Sequence, residues 1–489
     1  MRRIYLTLFL IFLNISLMPF FIGGMHTFLA YAFALIFAIY FSAQAFISMD
    51  SKLLGGAALF SLLIIVPISL ALVASLESLS TFETILYGII AFGFTLISWH
   101  YLLLVPLAAY YKRMEEIEAR KPLLYRPLVS VIIPARNEEK VIGSTIRSVL
   151  ESDYEPKEVV VVDDGSTDRT FEIASIYQGP KVKVLRRELG GRGKARALNF
   201  GLRFARGEVI VLMDADTIIS RDAIKELVRK LQDPRVSAVA GNVMVRNKVN
   251  LLTKLQAIEY IATFHLFRKG LSVLGAVPII SGALGAFRRN VLESSGLYDI
   301  DTLTEDFDVT LKALKSGRIV QASSYALAFT EAPEKLKSLY RQRLRWYRGA
   351  YEVLIKHRDA FSLSGLTMLD FSLILMNNLI IPLIDFLSII SIIIAILRGL
   401  IWPLIIQIIL FSTLQILINL FTLQLAEERD ISLVFLPLFA IGYKQFHEIL
   451  MLKCFFDVII ARMRGKSFSW TFIERRGLEE PKLRAGPRF

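Results

Sequence analysis

Apolar residues gather in two long blocks, one before about residue 111 and one after about residue 366, with a normally mixed stretch between them. A helix needs about 20 predominantly apolar residues to cross a bilayer. The first block holds four such runs, near 4–22, 27–48, 53–75 and 84–110. The second holds 368–397 and 400–425, then a longer run, 431–461, whose apolarity is broken by Gly442-Tyr443-Lys444-Gln445. Basic residues fall on alternate sides of the first four runs: Arg2 and Arg3, then Lys52, then Lys112 and Arg113. The loop carrying Glu77 and Glu83 has none. The excess of Lys and Arg in cytoplasmic loops therefore places the N-terminus and the middle of the chain in the cytoplasm. Three plain spans in the second block would put the basic tail (Arg462, Arg464, Lys466, Arg475, Arg476) outside. A bent or re-entrant last element returns it to the cytoplasm, and such an element is tolerated where it faces protein or water.

Between the blocks, short β-branched runs alternate with amphipathic stretches. Val129–Ile133, Val159–Val162, Val182–Leu185 and Val209–Met213 read as strands, and Val141–Leu150 as a helix. This repetition predicts βαβ units and a largely parallel sheet. Ligands of such sheets bind beyond the carboxyl ends of the strands, so chemistry is expected directly after each apolar run.

Composition sharpens this picture. The chain has 489 residues, 54% of them hydrophobic, which is high for a soluble protein. Its formal charge of +13 suits anionic lipid and an anionic substrate. No helix-turn-helix, RNP or zinc-finger pattern occurs, so no nucleic acid partner is expected. The single cysteine, Cys454, excludes an internal disulfide, and the histidines are too scattered for a zinc site. The first apolar run is as long as a span and is read as one, not as a cleaved leader.

The expected positions do carry polar chemistry. Pro134-Ala135-Arg136-Asn137-Glu138-Glu139 follows the first strand and Asp163-Asp164-Gly165-Ser166-Thr167-Asp168 the second. A carboxylate there either caps a turn or accepts hydrogen bonds from a base or ribose. Gly190-Gly191-Arg192-Gly193-Lys194-Ala195-Arg196 opens a helix. Glu188 stands where a Walker A loop needs its first glycine, but a glycine-rich cationic helix start still suits a phosphate. Met213-Asp214-Ala215-Asp216 leaves the fourth strand with two carboxylates two residues apart, a pair able to hold a hard divalent cation, Mg2+ or Mn2+, against a diphosphate. Thr304-Glu305-Asp306-Phe307-Asp308 starts a helical stretch. Asp306 is the candidate general base, whereas the helix dipole alone accounts for Asp308. Gln342-Arg343-Leu344-Arg345-Trp346 lies on an amphipathic helix of about 336–357, which could rest on a membrane surface. Its Trp offers a flat face for a sugar and its Arg residues suit a diphosphate.

The order PARNEE, DDGSTD, GRGKA, DAD, TED, QRLRW resembles the family 2 glycosyltransferases. The last motif and the flanking spans resemble the processive branch, which includes synthases of cellulose, chitin, hyaluronan and poly-N-acetylglucosamine. The TEAP segment at 330–333 and a tail with Trp470 and Glu474-Arg475-Arg476-Gly477 look closest to the last of these. The resemblance implies an α/β GT-A (Rossmann-like) cytoplasmic domain inserted between two α-helical transmembrane bundles. The expected division is 1–111 transmembrane, 112–335 GT-A, 336–365 interfacial helix, 366–461 transmembrane and 462–489 basic tail. It further implies an inverting, metal-dependent polymerisation of a UDP-sugar into a β-linked polysaccharide that is passed across the cell membrane. Pro134, Glu138 and Asp164 would surround the uridine with Lys194 nearby, and Asp214 and Asp216 would take the metal. Asp214 would also contact the nucleotide, Glu305 would bind substrate, and Asp306 would be the base. Ser281 and Gly282 would line the acceptor site, with Gln342, Arg343, Arg345 and Trp346 over the diphosphate and acceptor sugar. Two other readings stay open: a transferase of one sugar to a polyprenyl phosphate, and a channel or scaffold with a dead transferase domain.

Overall fold

The computed structural model describes residues 104–362 except Leu189 and Arg192, then 366–399, parts of 415–426, 438–466 and Phe468. The four expected N-terminal spans, the 400–414 portion of the second C-terminal span and most of the basic tail lie outside the described residues. The chain divides into two compact units. One comprises residues 114–264, 271–375 and 453–489; the other comprises 1–113, 265–270 and 376–452.

The first of these holds an eight-stranded sheet. Strands β1 (Val129–Ala135), β2 (Lys157–Asp163), β3 (Val182–Arg186) and β4 (Val209–Leu212) appear where the β-branched runs predict them. Helices α1 (Ile142–Leu150), α2 (Thr170–Ser175) and α3 (Lys194–Leu202) connect them. Almost every residue of β1, β2 and β4 is buried, as expected of strands covered on both faces.

The sheet order is β3-β2-β1-β4-β7-β6-β8-β5, completed by β5 (Ile218–Ile219), β6 (Val236–Val245), β7 (Gly285–Arg288) and β8 (Ile319–Thr330). The expectation of a largely parallel sheet holds for β3, β2, β1 and β4 and again for the pair β6 and β8. Strand β7 runs antiparallel to both β4 and β6, and β5 antiparallel to β8, so the other half is mixed. This reversal shapes the site. Gly285, the first residue of β7, pairs with Leu212, the last of β4, so Ser281–Leu284 arrive beside the residues that leave β4. In the same way β5 pairs with the end of β8, bringing Thr330 within 3.5 Å of Asp216.

Two further helices complete the frame, α4 (Glu305–Lys315) and α5 (Leu336–Lys356). Asp308 on α4 does more than complement a helix dipole, and that expectation is corrected here. It is 0% exposed, and its carboxylate meets His357 Nε2 at 2.8 Å and Lys356 Nζ at 3.0 Å. Burial opposes its charge, but these hydrogen bonds and the neighbouring lysines outweigh it and lower its pKa to about 2. Because the folded-state pKa is depressed, ionised Asp308 contributes stability above about pH 4 that is lost as pH falls toward 2. Asp308→Asn should therefore lower unfolding free energy at pH 7 by on the order of 2–3 kcal/mol and flatten the loss between pH 4 and 2. Denaturant melts across that range check it; an unchanged acid limb would reject the assignment.

Among the described residues, one stretch is long and apolar enough to cross a membrane, Phe371–Ile394, with mean hydropathy 2.1. The Gly442-Tyr443-Lys444-Gln445 interruption falls on a π-helical turn, Phe439–Tyr443, that leads into helix Lys444–Met463. Lys444 there meets Asp385 at 2.8 Å and Glu448 at 3.0 Å.

Candidate functional site

The loops after β1 and β2 are knitted together. Asn137 takes a positive φ of 56°, a conformation Asn tolerates better than most residues. Its backbone N–H donates to Ser166 Oγ at 3.0 Å, and its side-chain oxygen accepts from the Thr167 N–H at 2.8 Å. The Glu138 N–H donates to Thr170 Oγ1 at 2.8 Å. Glu138 and Asp164 thus lie on one hydrogen-bonded double loop, with Pro134 at the end of β1 beneath it.

The glycine loop packs on top. Gly165 turns with φ 76°, and a Cβ on Gly190 would collide with the Gly165 backbone, so this approach needs two glycines. The Gly191 N–H donates to the Asp164 carbonyl at 2.6 Å, and the Gly193 N–H reaches the Asp164 carboxylate. Asp164 is also ion-paired with Arg187, which the motif reading missed. Burial pushes its pKa up, against the pull of Arg187. Arg187 follows β3 directly, so the rule that finds chemistry after each strand also reaches it.

Beyond the loop, the fold gathers a second group. Lys194, the first residue of α3, places Nζ 2.6 Å from Asp214 Oδ1 and 3.3 Å from Glu305 Oε1. Burial opposes its charge, yet Asp214, Glu305 and Asp306 hold the ammonium well above its usual range. Burial raises the Glu305 pKa; Lys194 pulls it down and Asp306 pushes it up again, while Arg345 is near enough to lower it. The Gly282 N–H donates to Asp306 Oδ2 at 3.2 Å. A side chain at Gly282 would run into the Lys194 ammonium and push it aside, so the glycine leaves room for the lysine where this loop crosses it. Ser281 Oγ accepts from the Ala283 N–H at 3.3 Å and steadies the same turn. Asp216 is 4% exposed, with Thr330 Oγ1 as a neighbour. Tyr298, also absent from the motif reading, is 2% exposed and close to both Glu305 and Asp306, and burial, reinforced by those two carboxylates, raises its pKa well above normal.

The third group corrects one expectation. Arg343, placed with the substrate-binding residues from its motif, is 0% exposed. Its guanidinium donates to Glu259 at 2.8 Å and to Gln342 Oε1 at 3.1 Å, and lies over the Trp346 ring at 4.1 Å. The helix turns it inward, where a partner 84 residues away satisfies it. Gln342 is buried as well, whereas Arg345 and Trp346 are half-buried. One face of the Trp346 indole is therefore occupied by the Arg343 guanidinium, which is turned away from solvent.

Three comparisons bear on this arrangement. Residues 130–296 match the family model described as glycosyl transferase family 2. Poly-beta-1,6-N-acetyl-D-glucosamine synthase of Staphylococcus aureus (strain COL) is 34% identical over 235 residues, covering 48% of this chain and 57% of that protein. The Staphylococcus epidermidis protein of the same name is 35% identical over 232 residues, 47% and 56% of the two chains. The match thus spans little more than half the length of these relatives. A mannosyltransferase of Pyrobaculum calidifontis, solved with GDP-Man and Mn2+, superposes with a TM-score of 0.50 over 76% of this chain and 99% of its own, at 22% identity. That likeness establishes a GT-A fold.

Proposed function

We propose that the chain, whose residues 130–296 match the glycosyl transferase family 2 model, is an inverting, processive glycosyltransferase. It would extend a β-linked polysaccharide from a UDP-sugar at the cytoplasmic face and pass the product across the membrane. The observation that carries this reading is the cluster of Lys194, Asp214, Gly282, Glu305 and Asp306 beyond the carboxyl end of β4. It sets a cation and a fixed carboxylate beside the strand-end acid Asp214, which is what moving a sugar off a diphosphate needs. The identity to poly-N-acetylglucosamine synthases favours N-acetylglucosamine as the sugar.

Each residue has a task in this reading. Pro134, Glu138 and Asp164 hold the nucleoside on the double loop. Lys194 offers its ammonium to the diphosphate, and Arg345 adds a second charge from α5. Asp306 takes the proton of the acceptor hydroxyl as that oxygen attacks the anomeric carbon from the face opposite the nucleotide. Ser281 and Gly282 form the floor on the acceptor side. Two aspartates supply hard oxygen donors of the kind Mg2+ or Mn2+ prefers, and Asp214 already holds a cation in the form of Lys194, so the residues fit a divalent ion at Asp214 and Asp216. Such an ion would supply Lewis-acid stabilisation of the departing diphosphate.

The test is product analysis after incubating the purified protein with a panel of UDP-sugars. Long polymer from UDP-N-acetylglucosamine is expected. A single sugar added to a polyprenyl phosphate would replace this reading with a monosaccharide transferase, and no release of UDP from any donor would reject catalysis.

Trp346 separates polymer synthesis from single transfer. Arg343 covers one indole face, which leaves the other to stack on the terminal sugar. Trp346→Ala should leave donor affinity within about twofold and sharply shorten the product, because a loosely held chain end is misplaced relative to the base. Normal product length from a stable Trp346→Ala protein would remove the stacking role.

A further inference from the structure

Asp306 sits on α4, while Arg345 and Trp346 sit on α5, so the angle between these helices decides whether acceptor and base meet. The helices are joined by more than apolar packing. Gly349 of α5 lets the helix lie flush on the residue before α4: a Cβ there would come within 2.6 Å of Thr304 Cγ2. Two turns on, Lys356 Nζ reaches Asp299 at 2.5 Å, Asp301 at 2.8 Å and Asp308 at 3.0 Å. Lys312 of α4 returns to Asp299 at 2.7 Å and Asp308 at 3.4 Å. At the end of α5, His357 stands between two residues of α4, with Nε2 at 2.8 Å from Asp308 and Nδ1 at 3.4 Å from Lys315 Nζ. A lysine can only donate, so Nδ1 accepts and the ring proton on Nε2 goes to Asp308. Lys315 is fixed in turn by Asp359 at 2.5 Å.

From this arrangement we infer that Asp308 and His357 are positioning residues for sugar transfer, a buried lock that sets the acceptor-side helix against the helix carrying the base. The inference rests on reading Asp306 as that base. Asp308 is two residues beyond Asp306 and wholly enclosed, so it touches no substrate and acts only through the helix it anchors. A buried carboxylate held by a histidine and two lysines admits few geometries, whereas apolar contacts alone would let the helices slide. Loss of the lock leaves the nucleotide loops untouched, because those lie beyond β1, β2 and β3. Its signature is a fall in transfer without a fall in donor affinity.

The experiment compares the full-length protein with Asp308→Asn, His357→Ala and His357→Gln, all below the melting temperature of the least stable. Donor affinity, transfer at saturating donor and the share of donor lost to water are measured together. Asp308→Asn and His357→Ala should cut transfer by about 10–100-fold, the scale of a misplacement near 1 Å, while affinity stays within about twofold and hydrolysis gains share. His357→Gln keeps an N–H donor for Asp308 and should retain most activity. Unchanged transfer by a folded Asp308→Asn protein, or affinity and transfer falling together, would overturn the lock. A second arm needs no activity. Cys454 is the only cysteine, so spin labels at Ser316→Cys and Lys337→Cys on a Cys454→Ala background report the spacing of the two helices. A distance distribution that broadens with Asp308→Asn supports the lock and an unchanged one rejects it. If the unmodified protein transfers no sugar, the proposed function has failed, and this arm still decides the lock.

Discussion

Asp306→Asn should abolish most sugar transfer while leaving the nucleotide bound. Two backbone N–H groups aim the Asp306 carboxylate, Gly282 to Oδ2 at 3.2 Å and Phe307 to Oδ1 at 2.9 Å. The first comes from the loop entering β7 and the second from the start of α4, so the acid is held from both sides of the site. Asparagine keeps the shape but cannot take a proton, and a missing general base lowers transfer by about 10²–10⁴-fold. Asparagine also turns an amide N–H₂ toward one of those backbone donors, so Asp306→Ala is the control for that mismatch. Affinity for UDP-sugar, measured by calorimetry on the same preparations, should change by no more than about threefold, since an interaction made only in the transition state leaves ground-state binding alone. Parallel loss of affinity and turnover would make Asp306 a nucleotide ligand and move the base elsewhere.

What could be read before the fold was known follows one physical rule. In a parallel βαβ sheet the strand ends converge, so residues far apart in sequence share a rim when each follows an apolar run. Glu138, Asp164 and Asp214 follow β1, β2 and β4, and that rule locates them. It would have located Arg187 too, had the arginines after Val182–Leu185 been given the same weight. The rule is silent where strands reverse. Gly285–Arg288 is four residues long and carries no β-branched run, so neither β7 nor its antiparallel entry is visible in the pattern. Ser281 and Gly282 were therefore reached through family resemblance alone, and the register of β7 with β4 supplies the physical reason for their place. Arg343 shows the opposite failure. Its motif lies on an amphipathic helix, and periodicity says which residues share a face but not what covers that face. Glu259 covers it, from 84 residues away. Asp308 and His357, 49 residues apart, pair through tertiary packing that no local pattern encodes.

Removal of divalent cations should stop turnover, and Asp216→Asn should reproduce most of that loss. Asp214 and Asp216 leave β4 together, but the structure treats them differently. Asp214 meets the Lys194 ammonium at 2.6 Å at the rim, while Asp216 is 4% exposed and lies 3.5 Å from Thr330 Oγ1. Two carboxylates leaving one strand together offer the hard oxygen donors a divalent ion prefers against a diphosphate. Lewis-acid stabilisation of a leaving diphosphate is worth several kcal/mol, so excess chelator should lower the rate by about 10³-fold at roughly 1.4 kcal/mol per factor of ten. Readdition of Mg2+ or Mn2+ should restore it in the unmodified protein and only weakly in Asp216→Asn. A binding readout keeps this separate from catalysis: Mn2+ with UDP should raise the melting temperature of the unmodified protein, and Asp216→Asn should lose that shift. Asp214→Asn should weaken the shift less, because it removes one ligand and also releases Lys194 to Glu305, 3.3 Å away, where the ammonium remains at hand for the diphosphate. Full turnover in excess chelator, or an unaltered Mn2+ shift in Asp216→Asn, would leave Lys194 and Arg345 as the only cations facing the departing phosphate and would reject the metal site.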